Sequence, residues 1–214
     1  MKIEQFFSRV KDTFRRVSYP VVHFFAKVHF HPNLLTTISF LLVVISAIEF
    51  ARGSLRIAGV WYLLGGLFDV FDGAVARASN RVTKFGALFD STLDRYSEFF
   101  VFLAIGYYFS STHHYNTAFQ LLMLVVVFVA LSGSFMVSYV RARAEGLDYE
   151  CRIGLLQRPE RVVIVGLSAL ISQPVFIAGL FLVAIFSHYT AIQRIFFVWK
   201  QENSGKYDPY QADV

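Results

Sequence analysis

Apolar residues occur in long blocks along the chain, and the blocks have the length of membrane-crossing helices. Four of them, at 34–50, 57–75, 85–108 and 118–139, are separated by short polar segments. A further block, 162–198, is too long for one crossing and is interrupted at Ser172-Gln173-Pro174, because a proline within a helix removes a backbone donor. Since one crossing takes about 20 residues, the pattern predicts six transmembrane helices in an all-α integral membrane protein.

Residues 1–31 have a different pattern. Basic side chains recur among Phe, Val and Tyr residues, unlike a secretory signal peptide, in which one uninterrupted apolar stretch precedes the cleavage site. The mixture is typical of an amphipathic helix that lies on the membrane surface. We predict a single domain over 1–214, with a juxtamembrane segment at 1–31, a six-helix core at 32–199 and a polar tail at 200–214.

Composition supports the membrane assignment. The chain is 56% hydrophobic and 16% charged, against about 25% charged in an average soluble domain. Its net charge of +5 would suit nucleic acid, but all Lys and Arg residues except Arg52 and Arg56 fall in segments that six crossings put on one side. Positively charged loops face the cytoplasm. We therefore expect both termini to be cytoplasmic and no nucleic-acid partner.

Four aspartates lie near the cytoplasmic ends of the second and third predicted helices. Asp69 and Asp72 are three residues apart, and Asp90 and Asp94 are four apart, so each pair shares a helix face. A charge at mid-membrane costs about 2.5 to 3.5 kcal/mol, so these carboxylates need a neutralising partner. Hard divalent cations bind carboxylate oxygens and suit phosphoryl chemistry. None of the six histidines lies in this segment, which favours Mg²⁺ or Mn²⁺ over zinc.

Small and basic residues accompany the aspartates. Gly73 and Gly86 would let a ligand approach the helix backbone closely, and Arg77, one turn after Gly73, is suited to phosphate. The alternatives are a helix cap or surface ion pair for a single aspartate, and a channel or transporter pathway for the group. A pathway predicts carboxylates spread along the membrane depth, whereas these gather near one end of two helices. The pattern favours an active site.

Residues 69–94 match every fixed position of the signature D-x2-D-G-x2-A-R-x8-G-x3-D-x3-D. The chain thus resembles the CDP-alcohol phosphatidyltransferase family, and the predicted layout extends the resemblance over essentially its whole length. The resemblance implies a homodimer that transfers a phosphatidyl group from CDP-diacylglycerol, or an ether-lipid equivalent, to an alcohol and releases CMP.

The resemblance also implies roles for residues. Two Mg²⁺ or Mn²⁺ ions would be held by Asp69, Asp72 and Asp90, with Asp94 touching the second ion and acting as general base. The expected contacts with the CDP-lipid, including Gly86 from the backbone argument, are Pro32, Asn33, Gly73, Arg77, Thr83 and Gly86.

Five arginines lie within 141–161. Their plain explanation is membrane topology and attraction to anionic lipid, and the alternative is a pocket for a phosphorylated acceptor. The runs Ser138-Tyr139-Val140-Arg141-Ala142-Arg143-Ala144-Glu145 and Arg158-Pro159-Glu160-Arg161 resemble the prokaryotic branch of the family that uses inositol 1-phosphate. That resemblance implies a prokaryotic cell membrane and an acceptor-phosphate site made of Ser138, Arg141, Arg161 and Arg194.

Other acceptors remain open from the residues alone. Glycerol 3-phosphate, the acceptor of phosphatidylglycerophosphate synthases, also carries a phosphate, so arginines do not separate it from inositol 1-phosphate. A relative that uses an unphosphorylated alcohol is a further alternative. Elsewhere, Glu98 one turn after Arg95 predicts an intrahelical pair, His113-His114 predicts a solvated outer turn, and the single cysteine, Cys151, excludes a disulfide framework.

Overall fold

The computed structural model describes residues 30–112 and 115–203 together with Val22, His23, Phe25 and Lys27, and the regular structure of this part is helical. It comprises α1 (Pro32–Ala51), α2 (Leu55–Ala78), α3 (Lys84–Ser111), α4 (Thr117–Glu145), α5 (Arg158–Ile171) and α6 (Gln173–Asn203). The all-α prediction is confirmed. Most of the predicted juxtamembrane segment, the turn His113-His114 and the tail beyond 203 lie outside the described residues.

Four of these helices, α1, α2, α4 and α6, are long and apolar enough to cross a membrane. The other two differ for separate reasons. With 14 residues, α5 is about 21 Å long, less than the roughly 30 Å of a bilayer core. Helix α3 has 28 residues, but the charges near its start lower its hydropathy. The described part therefore has four candidate spans, and the count of six stays a prediction.

Exposed apolar side chains are consistent with a membrane environment. Leu41, Phe128 and Ile185 are each more than half exposed, and many other large apolar side chains on the helices are exposed as well. A soluble monomer rarely leaves so much apolar surface uncovered. These helix faces are suited to contact with lipid.

The helix boundaries follow local chemistry. Gly53 ends α1 with a φ of 80°, a conformation that glycine adopts without strain, and the Ser54 N–H donates to the Glu49 carbonyl at 2.9 Å. At the predicted break, α5 ends at Ile171 and Ser172 is extended, with φ −168° and ψ 162°. Pro174 is the second residue of α6, where its missing N–H costs little. The interruption predicted at 172–174 is confirmed.

The chain divides into two compact units. The first comprises α1 up to residue 42, with 64–94. Its core contains Val22, Leu35, Phe71 and Val75, and the Ser39 hydroxyl ties α1 to α2 by donating to the Gly65 carbonyl at 2.8 Å.

The second unit comprises 43–63 and the chain from 95 onward, and it holds the larger core. Phe176 stacks on Phe50 with ring centroids 5.5 Å apart and on Phe109 at 6.4 Å. The Ser46 hydroxyl donates to the Ala58 carbonyl at 2.8 Å, which ties the end of α1 to the start of α2. This unit carries the arginines of the predicted acceptor site.

Candidate active site

Three of the four predicted aspartates come together in the first unit. Asp69 and Asp72 lie on one face of α2, Asp90 lies on α3, and each offers a carboxylate oxygen within 4.8 Å of the others. We call these three residues the aspartate trio. Asp94 is one turn after Asp90 on α3 and is buried, but it is not a member of this close group.

The trio has the chemistry of a hard-cation site. Asp72 is only 5% exposed, and its Oδ2 is buried without a hydrogen-bond partner in the described part of the chain. Thr36 and Gly73 line the cavity beside the same carboxylate. Three like-charged groups this close repel one another, and a buried acceptor without a partner is costly. An all-oxygen donor set of this kind fits a divalent cation such as Mg²⁺ or Mn²⁺.

A cavity of about 270 Å³ adjoins the trio. All six predicted contacts with the CDP-lipid line it: Pro32, Asn33, Gly73, Arg77, Thr83 and Gly86. Asp72 and Asp90 line it as well. The residues predicted to contact the nucleotide and two of those predicted to hold the metal thus share one space.

Close packing at the start of α3 shapes this cavity. The Thr83 hydroxyl caps the helix by accepting a hydrogen bond from the Gly86 N–H at 2.9 Å, so Thr83 has a structural role here. A Cβ added at Gly86 would lie 2.9 Å from Thr83 Oγ1 and 3.3 Å from Asn33 Oδ1. An alanine at this position would require the Thr83 and Asn33 side chains to shift.

The turn between α2 and α3 brings basic residues to the same cavity. Asn80, with φ 52°, ends α2 in the left-handed conformation that Asn tolerates, and the Arg81 N–H donates to the Ala76 carbonyl at 2.9 Å. Arg81 then lines the cavity beside Arg77. The Arg77 guanidinium folds back toward Gly73, where an added Cβ would lie 3.4 Å from Nη1.

Sequence reasoning missed several lining residues, of which Thr36 and Arg81 are polar. Thr36 lies almost one turn after Asn33 on α1, so its i, i+3 spacing was the available signal. Arg81 occupies a variable position between the fixed residues of the signature. The other missed residues are Ala76, Val82 and Ala87.

In the second unit, the predicted acceptor residues lie on α4, α5 and α6. Ser138 is half-buried on α4, and Arg141 pairs with Glu145 on the same helix at 2.8 Å. Arg194 is buried on α6, where its Nε donates to the Ile153 carbonyl at 2.7 Å and its Nη1 to the Val137 carbonyl at 2.5 Å. Arg194 therefore holds the chain segment between α4 and α5 against α4 and α6.

The third arginine has a carboxylate partner of its own. Arg161 donates from Nε and Nη2 to Oε1 of Glu98, at 2.9 and 2.5 Å. The intrahelical pair expected for Glu98 and Arg95 is therefore wrong, because Glu98 faces α5. The like charges of Arg141 and Arg161 both act on Arg194, so the three arginines gather in one region although each has its own partner.

Comparisons with known proteins agree with this geometry. A model of the CDP-alcohol phosphatidyltransferase family matches residues 29–200. The archaetidylinositol phosphate synthase of Methanothermobacter thermautotrophicus is 33% identical over 202 residues, covering 92% of this chain and 96% of that protein.

A solved structure is also similar. The crystal structure of Mycobacterium tuberculosis phosphatidylinositol phosphate synthase with CDP-DAG bound has a TM-score of 0.75 at 29% identity, over 86% of this chain and 94% of that one. The same enzyme in complex with manganese and citrate has a TM-score of 0.74 at 30% identity, over 84% and 88% of the two chains.

Proposed function

The chain belongs to the CDP-alcohol phosphatidyltransferase family and is a membrane-integral transferase, and from that membership we propose that it transfers the phosphatidyl-type group of a CDP-linked lipid to inositol 1-phosphate and releases CMP. The observation that carries the proposal is the cavity beside the aspartate trio, which is lined by all six predicted CDP-lipid contacts. The similar mycobacterial enzyme was crystallised with CDP-DAG.

In the donor half of the reaction, we assign CDP-lipid binding to the six predicted contacts that line the cavity. Arg77 would grip the diphosphate, since a guanidinium forms paired hydrogen bonds with phosphate oxygens. Gly73 and Gly86 would leave room for the nucleotide against the helix backbones. The proposal covers donors with ester-linked or ether-linked chains, because these contacts concern only the nucleotide end.

For the metal, we propose two ions, Mg²⁺ or Mn²⁺, held by Asp69, Asp72 and Asp90 with a further contact from Asp94. When bound, such ions supply positive charge that stabilises the departing CMP. The manganese complex of the mycobacterial relative supports a divalent ion in this family. In this chain, the buried Oδ2 of Asp72, which has no hydrogen-bond partner among the described residues, supports one as well.

We assign the general base to Asp94. An alcohol is a poor nucleophile until it loses its proton, so a carboxylate that accepts the proton of the acceptor hydroxyl promotes attack. The hydroxyl oxygen then bonds to the phosphorus that bears the lipid, and the bond between that phosphorus and CMP breaks. Asp94 is a candidate because it is buried on the helix that also carries Asp90.

For the acceptor, we assign Ser138, Arg141, Arg161 and Arg194 to the phosphate of inositol 1-phosphate. Three arginines gathered in one region repel one another, and a phosphate dianion would offset that repulsion. Inositol 1-phosphate is favoured over glycerol 3-phosphate because the similar archaeal and mycobacterial relatives are named archaetidylinositol and phosphatidylinositol phosphate synthases.

We also propose a membrane arrangement. Six crossings, with residues 1–31 on the membrane surface, would put both termini and the active site on the cytoplasmic side of a prokaryotic membrane, in a homodimeric, single-domain enzyme. The distribution of Lys and Arg supports this orientation, since Arg52 and Arg56 alone fall on the other side.

The experiment is an acceptor panel. The purified protein is incubated with CDP-diacylglycerol and Mg²⁺ or Mn²⁺, and CMP release is measured with inositol 1-phosphate, glycerol 3-phosphate, inositol and serine. We expect release with inositol 1-phosphate and its loss in Arg161→Ala. Release with glycerol 3-phosphate alone would show that glycerol 3-phosphate, and not inositol 1-phosphate, is the acceptor. If the unaltered protein and Arg161→Ala both use free inositol or serine, the proposed phosphate site is overturned.

A further inference from the structure

Glu98 and Arg161 form a buried ion pair between α3 and α5. The exposed fractions of the two side chains are 2% for Glu98 and 1% for Arg161. Oε1 of Glu98 accepts from both Nε and Nη2, and Nη1 donates to the Leu156 carbonyl at 3.3 Å. The guanidinium is therefore held at each of its three nitrogens.

Stability alone does not explain this pair. Removing two charges from water costs more than their attraction returns unless every remaining polar atom is satisfied, and apolar side chains of similar volume often serve as well. Here Oε2 of Glu98 is buried and has no hydrogen-bond partner among the described residues, so the desolvation of the carboxylate is only partly offset. A functional role is a better reason to keep the pair.

The pair does not use every N–H group of Arg161. Because Nε and Nη2 share one acceptor oxygen, Glu98 occupies the side edge of the guanidinium. The hydrogen bonds to Leu156 and Glu98 use one N–H of Nη1 and one of Nη2, and each of these nitrogens carries a second N–H. An arginine uses two such groups to bind a phosphate.

The Arg141 pair provides a contrast. Its partner Glu145 lies one turn away on the same helix, and the two side chains are 44% and 48% exposed. Water can replace either partner at such a site, so the pair holds its guanidinium only weakly. Of the two pairs, the buried one is suited to fix an orientation.

We propose that Glu98 is a positioning residue for acceptor binding, which holds the Arg161 guanidinium so that its remaining N–H groups are available to the acceptor phosphate. The inference rests on the proposed function, because it assumes a phosphorylated acceptor. It gives Glu98 no contact with the reacting atoms and no part in binding the CDP-lipid.

The test compares the KM for inositol 1-phosphate with the KM for CDP-diacylglycerol in Glu98→Gln, which keeps the shape and removes the charge. We expect the acceptor KM to rise at least about tenfold, the scale of one lost hydrogen bond to a charged group, and the donor KM to stay unchanged. Glu145→Gln is the matched control, and we expect its acceptor KM to change by less than about threefold.

One further variant keeps the test decisive. Glu98→Asp retains the charge, so we expect its KM for the acceptor to lie between that of the unaltered protein and that of Glu98→Gln. If Glu98→Gln does not fold, Glu98→Asp is tested in its place. A Glu98 variant in which both KM values change equally, or in which only kcat falls, would overturn the positioning role. If the unaltered protein uses no phosphorylated acceptor, the proposed function has failed, and the inference falls with it.

Discussion

Asp72 on α2 and Asp90 on α3 lie on different helices, yet together with Asp69 they offer carboxylate oxygens within 4.8 Å of one another. Such a cluster of like charges opposes folding until a cation binds. The consequences of this contact can be measured on stability as well as on activity.

Replacing Asp72 should weaken cation binding. A ligand at a hundred times its Kd stabilises a fold by about 2.7 kcal/mol, so Mg²⁺ or Mn²⁺ should raise the unfolding temperature of the unaltered protein relative to EDTA. In Asp72→Asn this rise should largely disappear. The unfolding temperature of the variant in EDTA should not fall, because losing one charge reduces the repulsion within the trio. Asp148→Asn is the control, since Asp148 lies outside the trio and Asn tolerates its φ of 62°. An equal rise in all three proteins would contradict the assigned site.

Replacing Asp94 should stop the reaction but not donor binding. Loss of a general base lowers the rate by roughly a hundredfold to ten-thousandfold, so CMP release by Asp94→Asn should be close to background. Binding of CDP, measured by calorimetry, should be largely retained, because Asp94 does not line the cavity beside the aspartate trio. Near-normal turnover in this variant would exclude Asp94 as the base.

Gly86 and Gly106, both on α3, form a matched pair. A Cβ at Gly86 would lie 2.9 Å from Thr83 Oγ1, whereas one at Gly106 would meet Leu124 at 3.6 Å, an ordinary contact. Overpacking costs about 1 to 3 kcal/mol, so Gly86→Ala should raise the KM for the CDP-lipid or lower the unfolding temperature. Gly106→Ala should do neither. Equal behaviour of the two variants would show that the close approach at Gly86 is unimportant.

Arg194 should contribute to stability independently of any acceptor. Arg194→Met removes the donor to the partly buried Ile153 carbonyl and the second donor to the Val137 carbonyl, which keeps its bond within α4. Each lost hydrogen bond from a charged group costs about 1.5 to 3 kcal/mol. We expect a lower unfolding temperature in the absence of substrates. The exposed Arg143→Met should change stability by at most about 0.5 kcal/mol. Unchanged stability of Arg194→Met would rule out the structural role.

The thiol of Cys151 should be unreactive in the folded protein. Cys151 is fully buried in the segment between α4 and α5, and burial raises the pKa of its thiol. A raised pKa keeps the thiol protonated at neutral pH, and the thiolate is the reactive form. Maleimide labelling at pH 7 should be slow in the folded protein and complete after denaturation. Rapid labelling under native conditions would contradict the burial of this segment.

Much of the fold was predictable because its signals are local. Apolar blocks marked the helices, and the break at 172–174 followed from a proline that suits only the first turn of the next helix. The spacing of Asp69 and Asp72 put their carboxylates on one face of α2, since helix geometry relates residues three and four apart. Of the six predicted contacts that line the cavity, Gly73, Arg77 and Gly86 are fixed residues of the signature. Pro32, Asn33 and Thr83 came from the wider resemblance to the family.

Contacts between distant segments were not predictable in this way. Glu98 is closer in sequence to Arg95 than to Arg161, and spacing alone favoured the wrong partner. The pairing with Arg161, 63 residues away, depends on which face of α3 packs toward α5. Thr36 and Arg81 line the cavity beside the aspartate trio for a similar reason. The turn at 79–83 and the packing of α1 decide which side chains lie beside Asp72.

The sequence by itself determined the class of the protein, the helices and the candidate oxygen ligands, because these follow from hydropathy and from residue spacing within single helices. Only the tertiary structure decided which aspartates meet, that Glu98 holds Arg161, and that Arg194 binds two backbone carbonyls. The physical reason is that side chains on different helices meet through the packing of many apolar residues at once, and no short pattern of residues encodes that packing.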